Sequence, residues 1–286
     1  MIDCGKQIDG LKVSSMGRFI YYCFPYRRSV LFSNIDQVYG DSLSDRQKKH
    51  LAQAFYSHAA MSIKEMISLR FISQEKLRSR VDVKGHEHML NVVANGKGVL
   101  VLTGHFGNWE FAPLGGILNF KQFHGQFHFI RRMLVNKTIE RLLFRRYYRA
   151  GLNVIPNKNA MSAVNDALDK NHAVIFVMDQ HAFLSTREGI AVEFFGKKAG
   201  TYRSLATIAR HTGLPVVPAA GYRLPDGRHV LEFFEPIPWQ DYDTNQESIY
   251  RNTLAYNQAI ERIILAHPEQ WMWLHKRWKT RGCKLR

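Results

Sequence analysis

The chain has 286 residues, 45% of them hydrophobic and 12% aromatic, enough to bury a full core and too apolar for a disordered chain. Forty Lys and Arg against 24 Asp and Glu give a formal charge of +16, a field that attracts nucleic acid, an anionic membrane surface or an acidic carrier protein alike. Three widely spaced cysteines, Cys4, Cys23 and Cys283, support neither a disulfide framework nor a metal knuckle and fit a reducing, cytosol-facing location; the opening residues lack an apolar signal core, and no charge-free apolar run reaches the roughly 18 residues that span a bilayer.

In chain order, the segment MGRFIYYCFPYRRSVLF sets Phe19, Tyr21, Tyr22, Phe24 and Tyr26 among Arg18, Arg27 and Arg28. That mixture suits an interfacial segment with rings in the headgroup zone and cations toward phosphate; a short helix buried against the domain is the alternative. Ser44 and Gln47 form a capping-box pattern ahead of Leu51, Phe55, Ala59 and Ile63, whose four-residue spacing predicts an amphipathic, core-facing helix. A second helix is expected over 86–94, ending at Asn95-Gly96. Strands are then expected at 98–103, 127–130, 153–155, 173–178, 215–222 and 229–234, with helices at 138–150, 160–168, 201–211 and 247–266. Short continuous apolar strands between helices indicate an α/β sheet covered on both faces.

The first of these strands stops at GHFGNWE. Ligands of open α/β sheets bind beyond the carboxyl ends of the strands, and His105 lies just past such an end. Gly107-Asn108 supplies a flexible residue and a helix cap, and Glu110 falls in the first helical turn, where its charge meets the positive end of the dipole. One tight turn can bring histidine and carboxylate together, so Glu110 is expected to orient the imidazole and stabilise its protonated form. Asp179 and Gln180 also end a strand, at the same sheet edge, and are expected to hold the loop and the acceptor site. A single Asp-Gln-His lacks the ligands that Mg²⁺ or Zn²⁺ demands, so no metal is expected. In FFGKKAGT, Lys197 and Lys198 precede a helix starting at Thr201, a plausible phosphate site, with Arg203 in a first turn where a cation is disfavoured unless an anion binds nearby. The tail puts Lys276, Arg277, Lys279, Arg281, Lys284 and Arg286 beside Trp271, Trp273 and Trp278. This is either a docking surface for anionic headgroups or an acidic carrier, or a set of core tryptophans with a solvated end.

GHFGNWE resembles the His-x4-Glu motif of the lipid A biosynthesis acyltransferases, the lauroyl and myristoyl transferase family within the wider glycerolipid acyltransferase group. RRMLVN (131–136), VMDQ (177–180), VEFFGKKAGT (192–201), TGLPVVPA (212–219) and PEQWMWLHKRWK (268–279) agree with that family in order and spacing. Members of that family usually begin with a hydrophobic anchoring helix, and here little precedes the PYRRSVLFSN segment. The resemblance implies a mixed, largely parallel central sheet flanked by helices: residues 1–84 an N-terminal helical, membrane-facing segment and 85–286 the α/β domain, together one compact unit. It implies transfer of a fatty acyl group from an acyl carrier protein thioester to a hydroxyl of a lipid acceptor, most simply a lipid A precursor, at the cytoplasmic face of the bacterial inner membrane without a transmembrane helix. His105 is then the base and Glu110 its orienter, with no acyl-enzyme and no cofactor. Arg132, or its neighbour Arg131, contacts acceptor phosphate or oxyanion, and Asn108, Asp179, Gln180, Lys197, Lys198, Thr201 and Arg203 complete the substrate-binding set. A coenzyme A donor, or another lipid or secondary-metabolite acceptor, remains open.

Two rival readings exist. A nucleic-acid-binding protein would use the charge, but no zinc finger, helix-turn-helix spacing or RNP1-like run is present, and no nucleic acid is expected. A hydrolase would use the same base on water, but no Gly-x-Ser-x-Gly elbow occurs.

Overall fold

The computed structural model describes residues 3–24, 26–131, 133, 136–158 and 160–279. Four helices come first: α1 (Cys4–Asp9), α2 (Ser15–Cys23), α3 (Arg28–Tyr39) and α4 (Asp45–Ser68), with α2 packed along α4. The capping box of α4 forms: Gln47 N–H donates to Ser44 Oγ at 3.4 Å and Ser44 N–H to Gln47 Oε1 at 3.0 Å. Leu51 and Phe55 face the core as expected, whereas Ile63 is 54% exposed. The inward stripe of α4 passes at that level through Ser62 and Glu65 instead, so the last turns bury polar groups and turn their apolar ones outward.

After α5 (Gln74–Arg78), the chain alternates through β1 (Val81–Lys84), α6 (His86–Val93), β2 (Val99–Thr103), α7 (Phe111–Ile117), β3 (Phe127–Arg131), α8 (Lys137–Ala150), β4 (Leu152–Pro156), α9 (Ala160–Asp169) and β5 (Ala173–Val177). A hairpin of β6 (Gly189–Phe194) and β7 (Lys197–Tyr202) leads to α10 (Ser204–Thr212), β8 (Val216–Arg223), β9 (His229–Phe233) and α11 (Asn245–Ala266).

Seven strands form one mixed sheet in the order β1-β9-β8-β2-β5-β3-β4. Pairing is parallel except between β8 and β9, the largely parallel sheet expected from the family resemblance. Alternate residues of the strands feed two cores. Leu100, Leu102, Val174 and Phe176 face α1 to α4, α9, α10 and α11. Val99, Val101, Ala173 and Val217 face α5 to α8. Burial on both faces is why these strands read as unbroken apolar runs rather than alternating ones.

Two sequence expectations shift. β1 lies within residues 1–84 yet pairs with β9, so the helical segment and the sheet share that strand. The helix expected from Thr201 begins at Ser204, because 197–202 is strand. Phe195 and Gly196 have φ of 49° and 69°, the left-handed pair that closes a two-residue hairpin turn and matches strand twist.

Candidate active site

β2 and β5 are neighbours in register, with Thr103 opposite Val177. From β2 the chain proceeds to β3 on one side, and from β5 to β8 on the other. Their carboxyl ends therefore flank a switch point, where open α/β sheets leave a crevice for ligand. His105 and Asp179 each stand two residues past these paired ends, which brings them together.

The contact is close. His105 Nδ1 and Asp179 Oδ1 are 2.9 Å apart, and the His105 backbone N–H donates to Asp179 Oδ2 at 2.9 Å. Trp271 Nε1 also donates to Oδ2, at 3.0 Å. Asp179 is wholly buried. Burial pushes its carboxyl up, but the imidazole's charge and these donors outweigh it and hold the pKa at about 2. An ionised carboxylate only accepts, so Nδ1 carries the proton and Nε2 is left as the accepting nitrogen. For His105, burial lowers the pKa, yet the charge and hydrogen bond of Asp179 raise it above the ordinary imidazole value.

The imidazole has three further neighbours. Trp109 meets it edge-on with ring centroids 5.5 Å apart, and His275 lies at 5.1 Å. Gln180 Nε2 sits 3.2 Å from His105 Nε2.

The turn itself is fixed by glycine and asparagine. Gly107 has φ +59°, and a Cβ there would lie 1.8 Å from the Gly221 carbonyl oxygen, so no other residue fits. Asn108 is buried. Its Oδ1 accepts from the N–H groups of Glu110 and Phe111 at 3.2 and 3.1 Å, capping α7, while its Nδ2 donates to Glu65 Oε2 at 2.8 Å. Glu65 also takes Arg223 Nη2 at 2.6 Å, Arg223 Nε at 2.9 Å and His229 Nε2 at 3.0 Å. Burial would raise the Glu65 pKa, but these partners bring it down to about 2. His58 stays neutral: burial, then Arg223, lowers it to about 3. Its Nδ1 thus accepts from Arg223 Nη1 at 3.0 Å.

Several expected site residues stand elsewhere. The carboxylate against the imidazole is that of Asp179; Glu110 pairs with Arg146 on α8 beside Tyr147, whose hydroxyl is pushed up by burial and then by Glu110. The His-x4-Glu turn thus does not fold the two side chains onto each other, because the Glu110 carboxylate is drawn to a guanidinium. Asn108 braces the turn from within. Arg131 ends β3, with its guanidinium 3.6 Å from the Phe144 ring centroid and 3.5 Å from Glu140 Oε2. Arg132 lies outside the described residues, as do Arg281, Lys284 and Arg286. Lys197 and Lys198 are exposed on the β7 strand rather than ahead of a helix, and Arg203 is exposed at the N-cap of α10. Thr201 is buried, 2.8 Å from Arg277 Nη2.

The tail follows the core-tryptophan reading, except at Arg277. Trp271 and Trp273 are core residues, and Arg277, grouped with the solvated cations, is fully buried. Its Nη1 donates to the carbonyls of Gly200 and of Gln180, the latter at 3.3 Å, and burial lowers its pKa to about 10. Only the apolar run around it, WMWLHKRW, signalled this in the sequence.

The bacterial lipid A biosynthesis acyltransferase family model matches residues 11–280. The chain belongs to this family. It is an O-acyltransferase by that membership, and its relatives are distant. A lipid A biosynthesis lauroyltransferase of Escherichia coli is 26% identical over 93% of this chain and 83% of its own. A phosphatidylinositol mannoside acyltransferase of Mycobacterium tuberculosis is 24% identical over 75% and 66%. Among solved structures, the 1-acyl-sn-glycerophosphate acyltransferase of Thermotoga maritima aligns with a TM-score of 0.37 and 16% identity, covering 87% of this chain and 94% of that one. Among the described residues of this acyltransferase, no group of three or more metal-ligating side chains occurs, and no helix is long and apolar enough to cross a membrane.

Proposed function

We propose that this acyltransferase moves a fatty acyl group from an acyl carrier protein thioester to a hydroxyl of a lipid A precursor, working on an anionic membrane surface. The observation that carries the reading is the His105–Asp179 pair at the switch point, with the imidazole partly exposed and the carboxylate buried. An acceptor hydroxyl is a poor nucleophile at neutral pH and needs a positioned base. Its proton passes to His105 Nε2 as its oxygen attacks the thioester carbonyl; the intermediate collapses, and the sulfur leaves with the proton from the imidazolium. Asp179 holds the tautomer and stabilises the imidazolium without itself being protonated. No acyl-enzyme forms. Glu110 and Arg146 act as a pair: the carboxylate fixes a guanidinium beside the site that is suited to an acceptor phosphate.

The membrane part rests on exposed rings. Phe19, Tyr22, Phe24 and Tyr26 are exposed on α2 and the turn after it, and that turn reaches the site, because Arg27 Nη1 bonds the Leu274 carbonyl next to His275. Rings and cations so mixed suit a headgroup zone. A second acceptor is favoured by one finding, the phosphatidylinositol mannoside acyltransferase among the relatives. Both acceptors are phosphorylated glycolipids. The test incubates the protein with lauroyl-acyl carrier protein and either a tetraacylated lipid A precursor or a phosphatidylinositol mannoside, then reads product masses. A single laurate added to the lipid A precursor supports the reading; no addition in the presence of an active carrier overturns it.

A further inference from the structure

Burying a guanidinium away from a carboxylate is costly, because its charge leaves water uncompensated. Arg277 is fully buried, yet among the described residues every hydrogen bond of its guanidinium goes to a neutral group. Nη1 donates to the carbonyls of Gly200 and of Gln180, the latter at 3.3 Å, and Nη2 donates to Thr201 Oγ1 at 2.8 Å. Nε has no partner among the described residues, and the cation lies 4.7 Å from the Phe194 ring centroid. The segments so joined are those that carry the site. Gln180 follows Asp179 directly. The Gly200 carbonyl also accepts from the Ala182 N–H at 3.0 Å, and a Cβ on Gly200 would stand 2.0 Å from the Ala182 carbonyl oxygen, so the loop after β5 lies tight on β7. The Arg277 carbonyl in turn faces His181 Nδ1 at 3.3 Å. Two residues earlier in the tail, the His275 ring is 5.1 Å from that of His105.

We propose that Arg277 is a positioning residue for the His105–Asp179 pair: its fork pins the loop after β5 to β7 and so seats the Asp179 carboxylate against the imidazole. The inference rests on His105 being the base of the proposed reaction. The charge contributes beside the fork. A cation held at the residue after the carboxylate opposes that carboxylate's pull on the imidazole proton, so His105 stays closer to neutral pH and serves as a base there. The titratable and charged groups around the pair are Asp179 and His275 against His105, Asp179 and Glu261 acting on Arg277, and Arg27 and Lys279 acting on His275. Lys279 and Arg277 act likewise on His181, which burial first holds below the ordinary imidazole value.

The experiment uses the full chain with Arg277→Met and Arg277→Lys. Nitrogen-15 resonances of the histidine rings are followed against pH, and kcat and KM are measured for laurate transfer from lauroyl-acyl carrier protein to the tetraacylated lipid A precursor. Methionine fills the space without the charge, a replacement that buried ion sites tolerate. Its His105 titration is expected to rise by about half a unit, and kcat to fall by about tenfold or more with KM for the acceptor unchanged. Lysine keeps the charge but cannot span three acceptors, so its His105 titration stays within about 0.2 units of the wild type while kcat falls by about fivefold. A methionine variant that folds with an unchanged His105 titration, or with full kcat, has lost a structural contact alone and overturns the proposal. A lysine variant with full kcat also overturns it, and decides the matter where the methionine variant does not fold. If the His105 titrations behave as expected and the wild-type protein acylates no lipid, the reaction proposed above fails while the positioning role stands.

Discussion

At the scale of single residues the site is one proton and one lone pair. In the proposed reaction His105 acts as a base only when neutral, and Asp179 raises its pKa above the ordinary imidazole value of about 6.5. The acid limb of kcat/KM is therefore expected above that value. Replacing Asp179 by Asn leaves burial as the dominant influence, so the limb shifts to lower pH, while the lost tautomer control cuts kcat by about 10³-fold or more. His105→Ala is expected to abolish transfer and, because it leaves the buried Asp179 without its counter-charge, to lower the thermal midpoint as well. The same pair gives opposite signs in stability. The ion-pair stabilisation from His105 is complete below about 6.5 and is lost as pH rises through its raised pKa. That from Asp179 is complete above about 4 and is lost as pH falls toward 2. Glu110→Ala frees Arg146 without touching the imidazole; a profile whose acid limb stays put while KM for the phosphorylated acceptor rises several-fold is the expected outcome.

At the scale of elements, the turn after β2 is clamped to α4 by one buried carboxylate. Glu65 serves Asn108, Arg223 and His229 together. Glu65→Gln leaves a buried guanidinium short of its counter-charge, and a loss of about 3 kcal/mol or more is expected in urea unfolding. Gly107→Ala is expected to be at least as harmful, because the new methyl meets the Gly221 carbonyl. Much of this level was legible from the chain: unbroken apolar runs gave the strands of a sheet buried on both faces, and Ser44 with Gln47 gave the start of α4. Strand order was not legible. GHFGNWE and VMDQ both read as strand ends, yet nothing local says that β2 and β5 are neighbours in register, so the sequence points to the carboxylate five residues away as the orienter, whereas the one in contact lies 74 residues away. The hairpin at Phe195-Gly196 escaped for a related reason: Phe195 takes a left-handed φ that its own side chain disfavours.

At the scale of the whole molecule, the +16 charge and the exposed rings act together. Phe24→Ser with Tyr26→Ser is expected to lower co-sedimentation with vesicles containing phosphatidylglycerol by about tenfold, with thioester hydrolysis of a soluble donor unchanged. Retention on duplex DNA but not on such vesicles, at moderate salt, would point to the wrong partner. The segment from Trp271 to Arg277 carries a timing of its own. Asp179 receives one of its three hydrogen bonds from Trp271, and Gln180 is gripped by Arg277. A nascent chain still holding those residues inside the ribosomal exit tunnel has His105 and Asp179 outside but unbraced, so the pair reaches its final geometry only once residues 271–277 have emerged.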